Sequence, residues 1–129
     1  MSCKNVFIMA SDIKRLAVIL GQETFRIPGV EDRTGNEHDV KELESTLKKL
    51  GFSVRQYKDL NKQEILSVLT SIFLEGIKNL ECILVTVLTH GNSGGVLLAK
   101  DREFYTKDVW ELFRDSEKFN DIPKIFIFQ

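Results

Sequence analysis

Two short apolar runs constrain the fold more than any other feature of this sequence. The first, Lys14–Leu20, continues after two basic residues as Leu-Ala-Val-Ile-Leu and is ended by Gly21. The second, Glu81–Leu88, contains Cys-Ile-Leu-Val-Thr-Val-Leu and leads directly to His90. Runs of this length and β-branched content are typical of strands in a sheet that is covered on both faces. The second run is predicted to be the central strand.

Apolar residues recur at helical spacing between these runs. After a loop that contains Pro28, Gly29 and Gly35, the first helix is predicted from Val40, Leu43, Leu47 and Leu50, with Gly51 as its C-terminal cap. A second strand is predicted at Phe52–Tyr57. Asn61 and Glu64 have capping-box spacing and begin a helix whose apolar stripe is Ile65, Leu66, Leu69, Ile72 and Phe73.

The last third of the chain continues the alternation of predicted strands and helices. A small hairpin is predicted through Val96–Ala99 and Glu103–Tyr105, and Thr106 is a candidate cap for a helix that carries Val109, Trp110, Leu112 and Phe113. Pro123 introduces a final strand, Lys124–Phe128. Alternating strands and helices of these lengths predict an α/β fold, a three-layer sandwich with a mainly parallel sheet.

Composition excludes several classes of function. The chain has 129 residues, of which 43% are hydrophobic and 29% charged, as expected for one globular domain. The formal net charge is −1, with Lys and Arg scattered among Asp and Glu, so we expect no nucleic-acid partner. The early apolar run Val6–Ala10 is too short for a secretory or membrane segment. We therefore expect no membrane partner and a cytoplasmic location.

Cysteine and histidine are too sparse for a metal site. Cys3 and Cys82 have no CxxC partner, and Cys82 is predicted to be a small buried hydrophobe rather than a nucleophile. His38 is expected to be solvated, and its distance from His90 in sequence offers no ligand cluster. Neither GxxxxGK[ST] nor GxGxxG is present, so no phosphate-binding loop is predicted.

Three features fall at the carboxyl edge of the predicted sheet, where ligands bind in such folds. His90 could act there as a general acid or base, although a histidine bonded to backbone at a strand end is the alternative. Gly91 could present its N–H to an oxyanion, or could be an ordinary turn glycine. Arg33, in the loop before the first helix, could hold a carboxylate or could be solvated.

Three motifs in this order resemble the caspase family. Arg33–Asp39 (RTGNEHD) resembles its R-x-G-T-x-x-D loop, and Leu88–Gly91 (LTHG) resembles its [ST]-H-G strand end. Pro123–Gln129 (PKIFIFQ) resembles the strand that runs into Q-A-C-x-G. The resemblance implies a short N-terminal segment at residues 1–13 and a caspase large-subunit-like domain, truncated, at residues 14–129.

The resemblance also implies residue roles and an aspartate-directed cysteine endopeptidase activity in apoptosis. His90 would be the catalytic histidine, Gly91 would donate to the oxyanion hole, and Arg33 and Gln129 would bind the substrate aspartate. No metal or organic cofactor takes part in the family. The nucleophilic cysteine would lie two residues beyond Gln129, and the small subunit would supply the remaining strands, so the chain alone should be inactive.

Three hypotheses follow. The chain is the large-subunit portion of an active apoptotic caspase, and with Met1 as its start it resembles a short-prodomain executioner. Alternatively, it is a non-catalytic homologue that binds another caspase chain through its exposed last strand, Ile125–Phe128. A flavodoxin-like or receiver-like binding domain is the third hypothesis, and the absence of a suitable glycine pattern in Gln22–Arg33 disfavours it.

Overall fold

The computed structural model describes residues 13–114 and 117–129. Its helices are α1 (Asn36–Lys49), α2 (Lys62–Glu75) and α3 (Thr106–Arg114), with a short 3-10 helix at Glu117–Phe119. Its strands are β1 (Arg15–Gly21), β2 (Ser53–Lys58), β3 (Cys82–Leu88), β4 (Gly91–Asn92), β5 (Val96–Leu98), β6 (Glu103–Tyr105) and β7 (Lys124–Phe128).

The main sheet has four strands in the order β2-β1-β3-β7, and every neighbouring pair is parallel. Each pair of consecutive parallel strands is joined through a segment that contains a helix, as parallel pairing requires. All four carboxyl ends therefore meet at one edge. The predicted α/β fold with a mainly parallel sheet is confirmed.

Helices cover both faces of this sheet. On one face, α2 and α3 pack against alternate residues of β1 and β3, in a core that includes Leu16, Val18, Ile65, Val85 and Phe113. On the other face, α1 packs through Val40 and Leu47 against the intervening residues. The two buried runs lack polar alternation because both of their faces are covered.

The remaining strands form a small antiparallel sheet, in the order β4-β5-β6. It lies directly after β3 in the chain, so it extends the carboxyl edge of the main sheet. The predicted hairpin is confirmed, with β5 and β6 paired from Val96↔Tyr105 to Leu98↔Glu103.

Most predicted boundaries hold to within a residue, and two local predictions are wrong. Leu50 is 56% exposed because it follows the last helical residue of α1, while Gly51 ends the helix with a φ of 87° as predicted. Cys82 is half-buried rather than buried, since it is the first residue of β3. The Asn61–Glu64 capping box is confirmed.

Cys3 and the run Val6–Ala10 lie outside the described residues, as does nearly all of the predicted N-terminal segment 1–13. Thr106, predicted as a cap, is the first residue of α3. Across residues 13–114 and 117–129, the helices are too short or too polar for any of them to cross a bilayer.

Candidate active site

The carboxyl edge of the sheet brings together three of the predicted site residues. His90 follows β3 by two residues, and Gln129 follows β7 directly. The backbone of Gln129 pairs with that of β3 and its extension, accepting from the Thr89 N–H at 2.8 Å and donating to Val87 O at 2.9 Å. Arg33 reaches the same edge, where its Nη1 donates to Leu88 O at 3.1 Å. Residues far apart in sequence thus lie around the end of β3.

The His90 imidazole is half-buried and has one defined hydrogen bond. Its Nε2 lies 2.8 Å from the carbonyl oxygen of Glu31. Because a carbonyl can only accept, Nε2 carries a proton, and in the neutral form of the ring Nδ1 is the unprotonated nitrogen. The Phe25 ring lies against the imidazole, with centroids 5.2 Å apart. Within the described residues, Nδ1 has no hydrogen-bond partner and can accept a proton.

This geometry combines both interpretations of His90 offered by the sequence. The bond to Glu31 is the backbone contact that a purely structural histidine would make. The same bond fixes the tautomer and ring orientation that a general base needs, as backbone carbonyls do for other functional histidines. The contact to Glu31 therefore does not argue against a catalytic role.

Arg33 is held at the edge rather than solvated. Its Nη1 donates to Gln22 O at 2.7 Å, to Asn36 Oδ1 at 2.7 Å and to Leu88 O at 3.1 Å. Desolvation of the half-buried side chain lowers the pKa of Arg33, although nearby carboxylates oppose this, and a guanidinium remains charged at neutral pH in any case. Its Nε and Nη2 have no hydrogen-bond partner among the described residues, so these N–H groups remain available for an anion.

Gly91 and Gln129 are both exposed at this edge. A Cβ on Gly91 would lie 2.7 Å from the carbonyl oxygen of Val96, so the close pairing of β4 with β5 by itself requires glycine here. The Gln129 side chain makes no hydrogen bond within the described part of the chain. Oxyanion binding by Gly91 and carboxylate binding by Gln129 therefore stay predictions.

The other titratable candidates lie away from this site. Cys82 is at the amino end of β3, roughly 25 Å along the strand from His90 at ~3.3 Å per residue. His38 is 72% exposed on α1, 3.2 Å from Glu42. Among the described residues, no group of three or more His, Cys, Asp or Glu could hold a metal ion.

Comparison with known proteins assigns the family. The family model described as "Caspase domain" matches residues 14–129. The chain is a member of the caspase family. It is 31% identical to caspase drICE of Drosophila melanogaster over 116 residues, which covers 88% of this chain and 34% of that protein. It is 33% identical to caspase-1 of Spodoptera frugiperda, over 88% of this chain and 38% of that protein.

The caspase fold is confirmed by solved structures. The crystal structure of Spodoptera frugiperda caspase-1 matches with a TM-score of 0.86 and 30% identity, over 99% of this chain and 52% of that chain. A second structure, pro-sf-caspase-1, matches with a TM-score of 0.84. The chain thus spans between a third and about half of the length of these relatives.

The caspase-like loop departs from its motif at Asn36, which stands where the pattern has Thr. Asn36 is only 2% exposed, and its Oδ1 accepts from Arg33. The same side chain lies close to Gly21, where an added Cβ would be 3.1 Å from Asn36 Nδ2. Asn36 therefore holds the Arg33 side chain next to the end of β1. A residue larger than glycine at position 21 would displace the Asn36 side chain.

Several residues that build the site were missed by sequence reasoning. Glu31 acts through its main-chain carbonyl, and Phe25 acts by packing on His90, so neither has a recognisable motif. Gln22 offered a usable signal: it is a polar residue directly after a buried strand. It is fully buried, and its side-chain amide pairs with both the N–H and the C=O of Leu60. Such complete pairing identifies a structural residue that ties the end of β1 to that of β2.

Proposed function

We propose that this chain is the large-subunit portion of an aspartate-directed cysteine endopeptidase. The observation that carries the proposal is the arrangement of His90, whose Nε2–H is bonded to Glu31 O, at the edge that Arg33 also reaches. Among the described residues, Nδ1 of His90 and the Nε and Nη2 of Arg33 have no hydrogen-bond partner. A general base and an anion-binding fork together suit cleavage of a peptide next to a carboxylate.

The nucleophile in this proposal is a cysteine outside the printed chain. Its thiol gives a proton to Nδ1 of His90, and the thiolate attacks the scissile carbonyl carbon. The resulting oxyanion accepts a hydrogen bond from the Gly91 N–H. The imidazolium then returns its proton to the leaving amine as the C–N bond breaks. Throughout, the bond from Nε2–H to Glu31 O holds the ring and stabilises its charged form.

Selectivity for aspartate in this proposal comes from Arg33, assisted by Gln129. Because Nη1 is already anchored by three acceptors, the remaining N–H groups are pre-oriented and lose little freedom on binding a carboxylate. An uncharged side chain bound beside Arg33 would desolvate these donors without pairing them. Aspartate is therefore favoured over residues of similar size.

A chimera tests this proposal directly. Residues 14–129 would replace the matched portion of Spodoptera frugiperda caspase-1, and cleavage of a fluorogenic peptide with aspartate before the scissile bond would be measured. We expect cleavage, and a fall in kcat/KM of roughly 10²–10⁴-fold in the His90→Ala variant. His38→Ala is the matched control and should be unaffected. A folded but inactive chimera, or one indifferent to His90→Ala, would contradict the proposal.

The finer biological assignments rest on the resemblance to caspases. We propose action in apoptosis, a cytoplasmic location and protein substrates cut after aspartate. We also propose that a small subunit or another caspase chain pairs with β7, whose outward residues Ile125 and Ile127 are each 42% exposed. No cofactor enters this scheme.

The same exposed strand favours a second candidate function, a non-catalytic homologue that binds and modulates active caspases. Intact mass spectrometry of the endogenous protein, with sequencing of its transcript past the codon for Gln129, separates the two. A product that continues with Ala-Cys supports the protease. A mature chain that ends at Gln129 and recovers a caspase in a pull-down supports the modulator.

A further inference from the structure

Asp59, directly after β2, anchors the loop that carries the candidate site. Its Oδ1 accepts from the backbone N–H groups of Glu23 at 2.7 Å and Thr24 at 3.0 Å. Its Oδ2 accepts from the Thr24 hydroxyl at 3.0 Å. Both carboxylate oxygens are thus used on the first residues of the loop 22–35, which connects β1 to α1.

The backbone around Asp59 is itself fixed to the end of β1. Its N–H donates to Gly21 O at 3.0 Å, and its φ is 54°, a left-handed conformation that Asp and Asn tolerate better than most residues. The next residue, Leu60, is held through both its N–H and its C=O by the buried Gln22 amide. The Asp59 carboxylate therefore projects from a rigid base.

A short path leads from this anchor to His90. Phe25 follows Thr24 immediately, and its ring lies 5.2 Å from the imidazole centroid. Further along the same loop, Glu31 O accepts from Nε2 of His90. Displacement of residues 23–24 would move the ring that packs on His90 and would loosen the loop that supplies its carbonyl partner.

A second path leads to Arg33. Glu23, whose N–H is bound by Asp59, accepts the backbone N–H of Arg33 at 2.8 Å through its carbonyl oxygen. A single residue, Glu23, therefore connects the Asp59 carboxylate to the backbone of Arg33. The positions of both His90 and Arg33 therefore depend on the same hydrogen bonds to the Asp59 carboxylate, which we call the clamp.

We propose that Asp59 is a positioning residue for the active site, holding the loop 22–35 so that His90 keeps its Nε2–H tautomer and Arg33 faces the carboxyl edge. The inference rests on the function proposed for these two residues. Burial of the carboxyl raises the pKa of Asp59, but the hydrogen bonds from Glu23 and Thr24 outweigh this and hold it below its usual value. The clamp is therefore intact throughout the neutral range.

The two histidines of the chain allow a direct test by nitrogen-15 NMR of the imidazoles at about pH 8, above the ordinary pKa of a histidine side chain. In the unsubstituted chain, His90 should show one protonated and one unprotonated ring nitrogen. In Asp59→Ala, its nitrogen signals should move toward the averaged values of a free imidazole, and the amides of Glu23 and Thr24 should exchange roughly tenfold faster. The exposed His38 should not change.

Asp59→Asn is the rescue variant. An amide keeps an oxygen for the two backbone N–H groups, can donate to the Thr24 hydroxyl and tolerates the left-handed backbone, so the His90 signals should stay close to those of the unsubstituted chain. Asp108→Ala is the matched control, since Asp108 also accepts a backbone hydrogen bond, from Tyr105 at 2.9 Å, but has none with the loop 22–35. A general loss of stability would affect both alanine variants.

Unchanged His90 signals in folded Asp59→Ala would overturn the proposal. If that variant does not fold, Thr24→Val decides, because it removes only the hydroxyl bond: a smaller shift in the same direction supports the clamp, and no shift overturns it. The readout needs neither nucleophile nor substrate. An inactive chimera would therefore contradict the proposed function alone, and unchanged imidazole signals with an active chimera would contradict the role of Asp59 alone.

Discussion

The two edge strands of the main sheet, β2 and β7, differ in how they meet solvent. The outer strand β2 carries Arg55, Gln56 and Lys58, and the first two of these pair with Glu75 and Glu44 on the flanking helices. The outer strand β7 instead presents Ile125 and Ile127, each 42% exposed, on the face of the sheet that α1 covers elsewhere.

This difference indicates that β2 is a protected edge of the sheet, whereas β7 is an edge that lacks such protection. Natural sheets protect free edges with charged side chains and covering elements, and β2 has both. On β7, apolar residues occupy both faces: Phe126 and Phe128 pack inward, while the two isoleucines have no covering element within the described residues. The contrast supports the proposal that another polypeptide completes the sheet beside β7.

The largest effect should come from the inward face of β7. Phe126 packs on Phe113, with centroids 5.7 Å apart, and is half-buried. Phe126→Ala should lower the free energy of unfolding by about 2–3 kcal/mol, less than a fully buried Phe because part of the ring is already exposed. Val54→Ala on β2 should cost only about 1 kcal/mol. Urea denaturation measures both, and equal losses would remove the energetic distinction between the edges.

The outward face of β7 should control association. We expect the isolated chain to self-associate there, and the double variant Ile125→Lys with Ile127→Lys to raise the dissociation constant at least about tenfold, or ~1.4 kcal/mol. Sedimentation equilibrium measures this constant. Gln56→Lys, at an exposed position of β2, is the matched control and should leave the dissociation constant unchanged. If the control variant weakened association as strongly as the β7 variant, the comparison would fail.

A smaller effect is expected from Thr86, the β3 neighbour of Ile127. Its hydroxyl is fully buried and has no hydrogen-bond partner among the described residues. Thr86→Val should raise the free energy of unfolding by about 1 kcal/mol, because it removes an unpaired polar group. Thr89→Val should do the opposite, since that hydroxyl donates to Leu98 O at 2.7 Å. Denaturation curves in which Thr86→Val is the less stable of the two would contradict this account.

The smallest effect belongs to the ion pair that protects β2. Arg55 and Glu75 form two hydrogen bonds of 2.7 and 2.8 Å, and both side chains are partly exposed. Glu75→Gln should cost up to about 1 kcal/mol at low salt and less at high salt. Glu81→Gln, which breaks the more exposed pair with Arg15, should cost less. Thermal unfolding at two salt concentrations checks both, and a salt-independent loss would point to packing instead.

The sequence predicted the elements of this fold well because each had a local cause. The runs around Leu16–Leu20 and Ile83–Leu88 have the length and β-branched content of buried strands, and Asn61 with Glu64 fixed the start of α2. Leu50 was misassigned because the helical period that reaches Leu47 ends before it. Boundaries depend on where side chains stop meeting the sheet, which periodicity alone does not specify.

The candidate site was predicted only in part. His90 and Arg33 could be placed at the carboxyl edge because strand ends and the intervening loop share that edge. Their partners could not be predicted. Glu31 contributes a main-chain oxygen, and Asp59, which follows β2, accepts hydrogen bonds from residues 23–24, which follow β1. Such contacts are set by tertiary folding of a loop and have no periodic signal in the sequence.

The most direct measurement of the central claim is the ratio of kcat/KM for two peptides that differ only in aspartate or asparagine before the scissile bond, using the chimera with caspase-1. We predict a preference for aspartate of at least roughly 100-fold, lost in Arg33→Ala. Equal cleavage of both peptides, or a preference that survives Arg33→Ala, would contradict the claim that this edge binds the substrate carboxylate.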